Sequence, residues 1–447
     1  MKTLNSQKDS SIVIVTTAFY PENAIGAVRL TYLAKNLSSF YKQITVICPS
    51  ETNILNIDST LNITDISNIS ILRINNFYLF EVLQKFRDRI LSGSKGSELL
   101  GSIKNSKKKK SLIKSFAYNF FLRFYTHAKN LNFFLKSFIL FRSIKKKHSF
   151  EILISSYPSY SSHLAALFIK KQIPEIFWVA DFRDPMVYPS LGDSKLLSYI
   201  QQKSLVNADL ITVISNGVKD MICQSIKNDN VKVLHNGFDE LPRFNNPQIL
   251  NKENINFTYS GSLYGGKRDL SIFFKFLHRF LKENEHYKNS IRVNYAGSDF
   301  NSIKKIAVTN KLDSYLIDHG KVDRLSSLQM QYESDFILVA TWNTISEQGI
   351  LTGKVFEALM LNKKIVATIS GDKENSELKE LIDTHGAGIA LESNFIDSKD
   401  YFNFSQLILS SSNNSSSFDD LKSNHPFKKF HFSELSKKLI SYIELLK

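Results

Sequence analysis

The sequence predicts an α/β protein with two domains, each built on a parallel sheet and joined to the other by a single linker. Its 447 residues have room for two or three domains, and 43% hydrophobic with 22% charged residues is ordinary globular composition, which excludes a mostly disordered chain. Short β-branched runs alternate with helical patterns along the chain. This alternation stops once, in a stretch rich in Pro and Asn at 239–251, and then resumes.

The first series of elements begins close to the N-terminus. The run IVIVTT at 12–17 predicts a strand buried on both faces, helical spacing from Val28 to Leu37 predicts the next helix, and ITVI at 44–47 predicts a second strand. Further strands are predicted at 70–73, 151–155, 176–180, 210–214 and 231–234. We therefore assign 1–240 to a first domain of Rossmann-like type.

The second series follows a linker at 241–254. Strands are predicted at 255–260, 291–296, 315–317, 336–340 and 364–369, with helical patterns at 269–282 and 351–361. These elements predict a second Rossmann-like domain at 255–425, followed by an amphipathic C-terminal helix within 426–447.

The net charge of +15 is concentrated in one segment. Thirteen Lys and Arg residues and no Asp or Glu lie between 99 and 150, which leaves the rest of the chain nearly neutral. The segment is also rich in Phe, and apolar side chains recur at helical spacing at 113, 116, 120, 124, 131, 134, 138 and 141, with His127 interrupting them. Three interpretations are open: a helix packed on the first domain, a peripheral helix or hairpin contacting an anionic membrane through 104–147, or a single-stranded nucleic-acid site.

The sequence lacks the motifs that are typical of several classes of protein and of site. Two cysteines cannot form a disulfide framework, the ten histidines show no metal-ligand spacing, and no nucleophile motif is present. The start of the chain does not resemble a signal peptide, and no apolar run is long enough to span a bilayer. We therefore expect a cytoplasmic protein, soluble or peripheral on the membrane's inner face, without a metal or cofactor.

The loops that follow strands are where ligands bind in this architecture. Gly26 opens the first helix and could admit a phosphate, although one Gly at a helix start is often only a turn. Asp181, Arg183 and Asp184 follow a buried strand and could form a catalytic cluster or a structural ion pair.

Two loops of the second domain predict phosphate binding. In SGSLYGGKRD, Gly261 frees the backbone, while Lys267 and Arg268 stand at a helix start. In GILTGKVFEALM, Gly349 precedes Lys354 and Glu357, and Glu357 would face the cleft if its apolar neighbours face the sheet. In both loops a solvated surface arrangement is the alternative interpretation.

The chain resembles the family 4 glycosyltransferases. The resemblance covers most of the chain and is carried by IVIVTTAFYPENAIGAVRLTYLAKNL, VADFRDP, ADLITVISNGVKDMI, VKVLHNGFD, YSGSLYGGKRD and GILTGKVFEALMLNKKIVAT. It implies the GT-B fold, in which two Rossmann-like domains face each other across a cleft. It also implies a retaining transfer of sugar from a nucleotide-sugar donor, with no metal and no protein nucleophile required.

The resemblance assigns roles to individual positions. Glu357 matches the second Glu of the family's E-x7-E signature, which holds the nucleotide ribose, whereas Gly349 stands where the first Glu is expected and Glu347 lies out of register. Lys267 matches the phosphate-binding Lys, and Ser262 replaces an Arg that Arg268 or Lys354 could supply. Val322 lies where the family reads the base, and the Asp181 to Asp184 loop lies on the acceptor side. The predicted catalytic residues are Asp181, Arg183, Asp184 and Lys267, and the predicted donor-binding residues are Gly26, Gly261, Lys267, Arg268, Val322, Gly349, Lys354 and Glu357.

The predicted function is that of a bacterial glycosyltransferase. It would extend a lipid-linked or cell-surface glycan, such as capsule, O-antigen or exopolysaccharide, with the basic segment on the anionic membrane. A nucleotide-sugar epimerase of the same fold is the competing enzyme class. A basic nucleic-acid-binding protein is the non-enzymatic alternative, although no nucleic-acid partner is expected.

Overall fold

The structure is a computed structural model, and it describes residues 8–53, 57–58, 60–61, 63, 66–78, 80–85, 108–146, 148–188, 194–224, 229–244, 247–410 and 425–447. The strands form two sheets, of seven and six strands. Every pairing within both sheets is parallel. The predicted α/β class with two parallel sheets is confirmed.

The first sheet contains all seven strands that the sequence predicts for this part of the chain. They are β1 (Lys8–Thr16), β2 (Tyr41–Pro49), β3 (Ile69–Ile74), β4 (Ile152–Ser156), β5 (Phe177–Phe182), β6 (Leu210–Val213) and β7 (Val231–Val233), in the order β3-β2-β1-β4-β5-β6-β7. The accompanying helices are α1 (Ile25–Leu37), α2 (Lys108–Ile144), α3 (Tyr160–Gln172), α4 (Lys195–Asn207) and α5 (Asn216–Cys223). Two apolar clusters pack against this sheet. Burial on both faces explains why its central strands read as continuous apolar runs.

The second sheet repeats this plan. Its strands are β8 (Ile255–Ser260), β9 (Ile291–Ala296), β10 (Leu316–Asp318), β11 (Phe336–Trp342), β12 (Lys364–Ser370) and β13 (Gly388–Glu392), in the order β10-β9-β8-β11-β12-β13. Its helices are α6 (Ser271–Glu283), α7 (Phe300–Thr309), α8 (Arg324–Glu333), α9 (Gly353–Met360), α10 (Glu377–Thr384) and α11 (Ser398–Leu409). The sequence analysis missed β13, an edge strand of five residues whose first residue is a glycine at φ +145°. A glycine-broken run this short carries little strand signal.

The last helix, α12 (Phe432–Leu446), packs on the first sheet although it follows the second. Tyr32 on α1 stacks on Phe432 with ring centroids 5.6 Å apart. The two crossings between the domains also bond to each other, because Phe238 N donates to Phe430 O (3.1 Å) and Phe432 N donates to Phe238 O (2.8 Å). The domains are thus joined twice rather than by the single predicted linker.

Helix α2 belongs to the basic segment. Residues 99–107 and Lys147 lie outside the described residues, and for 108–120 the backbone alone is described. From Phe121 onward one face of α2 packs into the core of the first domain through Phe133, Phe134 and Phe141. The helix that this spacing predicts is confirmed, but the apolar stripe, which His127 interrupts, does not form a single buried face, since Phe134 and Phe141 are buried while Phe124 and Leu131 are exposed. Within the described parts of the chain, every helix is too short or too polar to cross a bilayer.

Candidate functional site

A cavity of about 710 Å³ lies between the two sheets, at the carboxyl ends of their strands. This is the edge where ligands bind in open parallel sheets. Its wall comes from both domains: Asn23, Ala24, Ile25, Val28, Arg29, Ile57, Asn236, Gly237 and Phe432 on the first-domain side, and Ser260, Gly261, Ala296, Gly297, Lys321, Val322, Asp323, Arg324, Ser327, Gly353, Lys354 and Glu357 on the other.

Two helices begin at this cavity, one from each domain. The capping residues, Ala24 before α1 and Thr352 before α9, are extended and make no side-chain capping hydrogen bond. Ile25 lies against Gly353, where an added Cβ would be 2.9 Å from Ile25 Cδ1. The first amides of both helices are thus left without side-chain caps beside the cavity, and the helix dipoles give it a positive potential.

Glu357 lies on the cavity wall while its neighbours Val355 and Phe356 are buried against the sheet. Its Oε2 accepts hydrogen bonds from Lys354 Nζ (2.8 Å) and Gln331 Nε2 (3.2 Å). Burial by itself raises the pKa of Glu357, but Lys354 and Arg324 outweigh it and hold that pKa below its ordinary value. The group is therefore an anion at neutral pH.

The second oxygen of Glu357 has acceptor capacity left. Arg324 Nε is 3.6 Å from Oε1, beyond hydrogen-bond distance, and among the described residues no donor bonds to this oxygen. A carboxylate oxygen held beside a cavity in this way can accept hydrogen bonds from two neighbouring hydroxyls of a ligand.

Arg324 connects this carboxylate to the first domain. Its Nη1 donates to Asp58 Oδ2 at 2.7 Å across the cleft, and the side chain of Asp58 is fully buried. Thr60 fixes Asp58 from its own domain by donating its amide and hydroxyl to Oδ1 (2.9 and 2.6 Å). The sequence analysis missed both members of this pair, because 266 residues separate them and neither belongs to a local motif.

Backbone forms the floor of the cavity. Gly261 has φ +123° and an added Cβ would meet nothing within 4 Å, whereas a Cβ on Gly297 would overlap Tyr295 and the Gly261 carbonyl. Val322 lies after β10, next to Asp323, which caps α8 by accepting from Ser326 N (2.9 Å). The structure thus places Gly26 and Arg183 at one side of the cleft and Gly261, Val322, Lys354 and Glu357 on the cavity wall itself.

Lys267 and Arg268 lie apart from this wall. Lys267 Nζ is paired with both oxygens of Glu347 (3.0 and 2.9 Å) and lies 5.0 Å from the Trp342 ring centre. The Trp342 indole also donates to Glu347 Oε2 (2.7 Å). Arg268 turns back onto its own loop, 4.2 Å from the Tyr264 ring centre. Glu347, out of register in the sequence, is the carboxylate that meets the predicted phosphate-binding lysine.

Gly349 lies at a contact between the domains. It has φ +66°, and an added Cβ would overlap Ser215 Oγ and come within 2.8 Å of Gly217 Cα. A glutamate there would suffer both the left-handed backbone and the clash. From the same side, Glu377 accepts from the amides of Asn216 (2.9 Å) and Gly217 (3.0 Å) at the start of α5. The missing first Glu of the signature therefore has a physical reason, which is close approach of two backbones.

Asp181 lies behind the cavity wall, and both of its carboxylate oxygens already accept hydrogen bonds from neighbouring side chains. Arg29 donates to its two oxygens (2.9 and 3.2 Å), and the hydroxyls of Ser156 and Thr212 donate to it at 2.8 Å. Burial by itself raises the pKa of Asp181, yet Arg29 and the hydroxyls hold it below its ordinary value. This geometry favours a positioning role, in which Asp181 orients Arg29, over contact with a substrate. Arg29 carried a sequence signal that went unused: it shares the buried face of α1 with Leu33 and Leu37.

The other two members of this loop, Arg183 and Asp184, do not line the cavity either. The Arg183 guanidinium lies over Gly26, where an added Cβ would be 2.6 Å from Cζ, and its Nε donates to Tyr157 O (2.8 Å). Asp184 accepts from the Tyr188 hydroxyl (3.3 Å). In the described part of the chain no group of three or more His, Cys, Asp and Glu could hold a metal ion.

Comparison with known proteins gives likeness in structure alone. No protein-family model and no curated protein matches the chain. Many solved structures are similar, and three of them serve as examples that match over nearly the full length of both chains. They are a glycosyltransferase from Rickettsia africae ESF-5 (15% identity, TM-score 0.55, 98% of this chain and 99% of that one), the lipopolysaccharide outer core galactosyltransferase WaaB in its apo form (12%, 0.56, 97% and 99%), and a putative UDP-N-acetylglucosamine 2-epimerase from Listeria monocytogenes (11%, 0.52, 97% and 96%). At these identities the likeness establishes the fold: the chain has the GT-B arrangement, two Rossmann-like domains facing each other across a cleft.

Proposed function

We propose that the protein is a glycosyltransferase that moves a sugar from a nucleotide-sugar donor to a glycan acceptor. The observation that carries the proposal is Glu357, an ionised carboxylate with one oxygen free, beside a cavity onto which two helix N-termini open. The free Oε1 accepts the two ribose hydroxyls of the nucleotide. Val322 packs against the base, and Arg324 holds the carboxylate in place.

The diphosphate of the donor lies between the two helix starts. Lys354 and the first amides of α9 bind it from the second domain, and the amides around Gly26 bind it from the first. Negative charge grows on the diphosphate as its bond to the sugar breaks. Fixed cations and amides stabilise that charge without reorganising, which is why they accelerate the step.

Transfer proceeds with retention of configuration at the anomeric carbon. The bond from that carbon to the phosphate oxygen breaks while a bond to the acceptor hydroxyl oxygen forms on the same face, and the acceptor proton passes to the departing phosphate oxygen. Arg183, whose guanidinium lies over Gly26 at the start of α1, orients the acceptor together with Asp184. Lys267 is held by Glu347 outside the cavity wall, and its charge stabilises the departing diphosphate from beyond the wall.

The acceptor is a lipid-linked or cell-surface glycan, and the enzyme is bacterial and works at the inner face of the membrane. The competing activity is epimerisation of a nucleotide sugar, for which the likeness to a putative 2-epimerase is the supporting observation. The two differ in product, because an epimerase converts the free nucleotide sugar without any acceptor.

The test combines a donor screen with a matched pair of variants. Radiolabelled nucleotide sugars are incubated with the protein and a bacterial membrane extract, and label is followed into the lipid and glycan fractions and into free epimers. Glu357→Gln should reduce transfer roughly ten- to hundredfold when the donor concentration is below its KM. Glu434→Gln removes another Lys–Glu pair with the same 2.8 Å separation, between residues that do not line the cavity, and should not change it. Epimer formation without acceptor would replace the proposal, and equal transfer by Glu357→Gln and wild type would remove Glu357 from it.

A further inference from the structure

Helix α2 has an exposed apolar stripe opposite its buried face. Phe124, Leu131, Leu135 and Ile139 are between 39% and 58% exposed, whereas Phe133, Phe134 and Phe141 are buried in the first domain. At 100° per residue the four exposed positions span about 80° of the helix circumference, so they form one line along the helix. We call these four residues the α2 stripe.

Cations border the α2 stripe. Arg142 and Lys146 continue the same line and are exposed. On one flank Lys136 Nζ lies 4.2 Å from the centre of the exposed Phe77 ring. On the other flank Lys171 Nζ lies 5.7 Å from the centre of the exposed Phe168 ring.

The charged side chains of α2 and of the two residues after it, from 121 to 146, are all basic. Residues 121–146 contain six Lys and Arg and no Asp or Glu, and Glu81 is an acidic residue in the neighbouring segment at 76–85. The surface therefore combines a line of large apolar side chains with a rim of positive charge.

We infer that the α2 stripe docks on the surface of an anionic phospholipid bilayer. Leu131, Leu135 and Ile139 would enter the boundary between headgroups and acyl chains, while Lys136, Arg142 and Lys146 would contact lipid phosphates. The inference rests on the proposed function only for its membrane location. The stripe lies outside the cavity, so vesicle binding and donor binding can fail separately.

Two other occupants fit the same surface less well. A second copy of the chain would bring one predominantly basic surface against another, and like charges repel. Single-stranded nucleic acid is held by stacking on aromatic rings, and three of the four stripe residues are aliphatic.

The experiment measures flotation with lipid vesicles. Full-length protein is mixed with vesicles of 70% phosphatidylcholine and 30% phosphatidylglycerol, or of phosphatidylcholine alone, in 0.1 M or 0.5 M NaCl, concentrations chosen on either side of strong screening. The variant Leu131→Asp/Leu135→Asp interrupts the stripe, and Arg142→Ser/Lys146→Ser removes charge. The matched control, Val206→Asp/Leu445→Asp, changes two exposed apolar residues elsewhere. Thermal melting verifies that each variant is folded.

Wild type should float with the anionic vesicles and less with neutral vesicles or at high salt. The stripe variant should bind at least tenfold more weakly, the charge variant several-fold more weakly, and the control as wild type. Absence of wild-type flotation at low salt, or equal flotation of the stripe variant, would overturn the inference. Dimerisation in sedimentation, or oligonucleotide binding, that depends on Leu131 and Leu135 while vesicle binding does not would assign the surface to that partner instead. Nucleotide binding, measured in parallel, reports on the cavity independently.

Discussion

Asp181 in the first domain and Glu357 in the second are both carboxylates near the cleft, but they differ in their hydrogen-bond partners and in their exposure. Each lies near the carboxyl edge of a parallel sheet, close to an arginine, and each has a pKa held below its ordinary value. Asp181 accepts four side-chain hydrogen bonds and its side chain is 4% exposed. Glu357 accepts two, both on one oxygen, and is 15% exposed at the cavity.

The difference shows which carboxylates in such a cleft are open to a ligand. A carboxylate has about four acceptor positions, so four donors saturate Asp181 and fix it as part of the wall. Glu357 is held firmly enough to stay ionised and still has one oxygen to offer. Proximity to the cleft and a lowered pKa are common to both, so neither property distinguishes them.

Asp181→Asn should have the largest effect, and that effect should be on stability. The substitution leaves Arg29 buried without its counter-ion, so the free energy of unfolding should fall by about 3–5 kcal/mol, measured by urea denaturation. Glu434→Gln, which breaks an ion pair near the surface, should cost less than about 1 kcal/mol. An Asp181→Asn protein as stable as wild type, with nucleotide binding lost, would reverse the two roles.

Glu357→Gln should instead affect binding. Two charge-assisted hydrogen bonds to ribose hydroxyls are lost, which corresponds to about 1.5–3 kcal/mol, or roughly ten- to hundredfold in the Kd for the nucleotide. Isothermal titration calorimetry with nucleoside diphosphates measures this. The melting temperature should fall less than for Asp181→Asn, because Lys354 is 30% exposed and Arg324 keeps its ion pair with Asp58. A large fall in melting temperature with unchanged Kd would make Glu357 a structural residue like Asp181.

His235 is a partly buried histidine in the first domain whose pKa, like those of Asp181 and Glu357, is set by its surroundings. Burial lowers the pKa of His235 to about 4, helped by the nearby Lys438 and Arg29 and opposed by the hydrogen bond to Ile214 O. The unfolded chain binds a proton near pH 6.5 and the folded chain does not, so stability falls as the pH falls from 6.5 towards 4. At pH 5 the loss from this group should be about 2 kcal/mol relative to pH 7. His235→Asn should flatten this dependence in urea denaturation, and an unchanged slope would contradict it.

The sequence predicts the sheets well and the pairings between domains poorly, for a physical reason. Buried parallel strands are continuous apolar runs in the sequence, and for this reason all seven strands of the first sheet were predicted. Asp58 with Arg324, and Gly349 with Gly217, meet across the cleft after long stretches of chain, and no local pattern encodes the partner. Arg29 is an intermediate case. A charged residue on the buried face of a helix predicts that a buried partner exists, but it does not identify that partner as Asp181.

The ion pair of Lys267 with Glu347 is intermediate in exposure between the buried Asp181–Arg29 pair and the exposed pairs on the protein surface. Glu347 is nearly buried and also bonded by Trp342, whereas the Lys267 side chain is about half exposed. Lys267→Met should therefore lower the free energy of unfolding by about 1–3 kcal/mol, because nearly buried Glu347 loses its cation and keeps the hydrogen bond from Trp342. If Lys267 stabilises the departing diphosphate, kcat should fall roughly tenfold with KM nearly unchanged, because the interaction strengthens only as charge develops.

Arg279→Met is the control for Lys267, because Arg279 pairs with exposed Glu283 on α6 and lies outside the cavity wall. Its kcat should equal that of wild type in the same transfer assay. A rise in KM with constant kcat for Lys267→Met would mean that the lysine binds donor and transition state alike. Unchanged kinetics would give the Lys267–Glu347 pair a structural role, like that of Asp181 with Arg29. Lys354 and the helix amides would then be the groups that stabilise the developing charge.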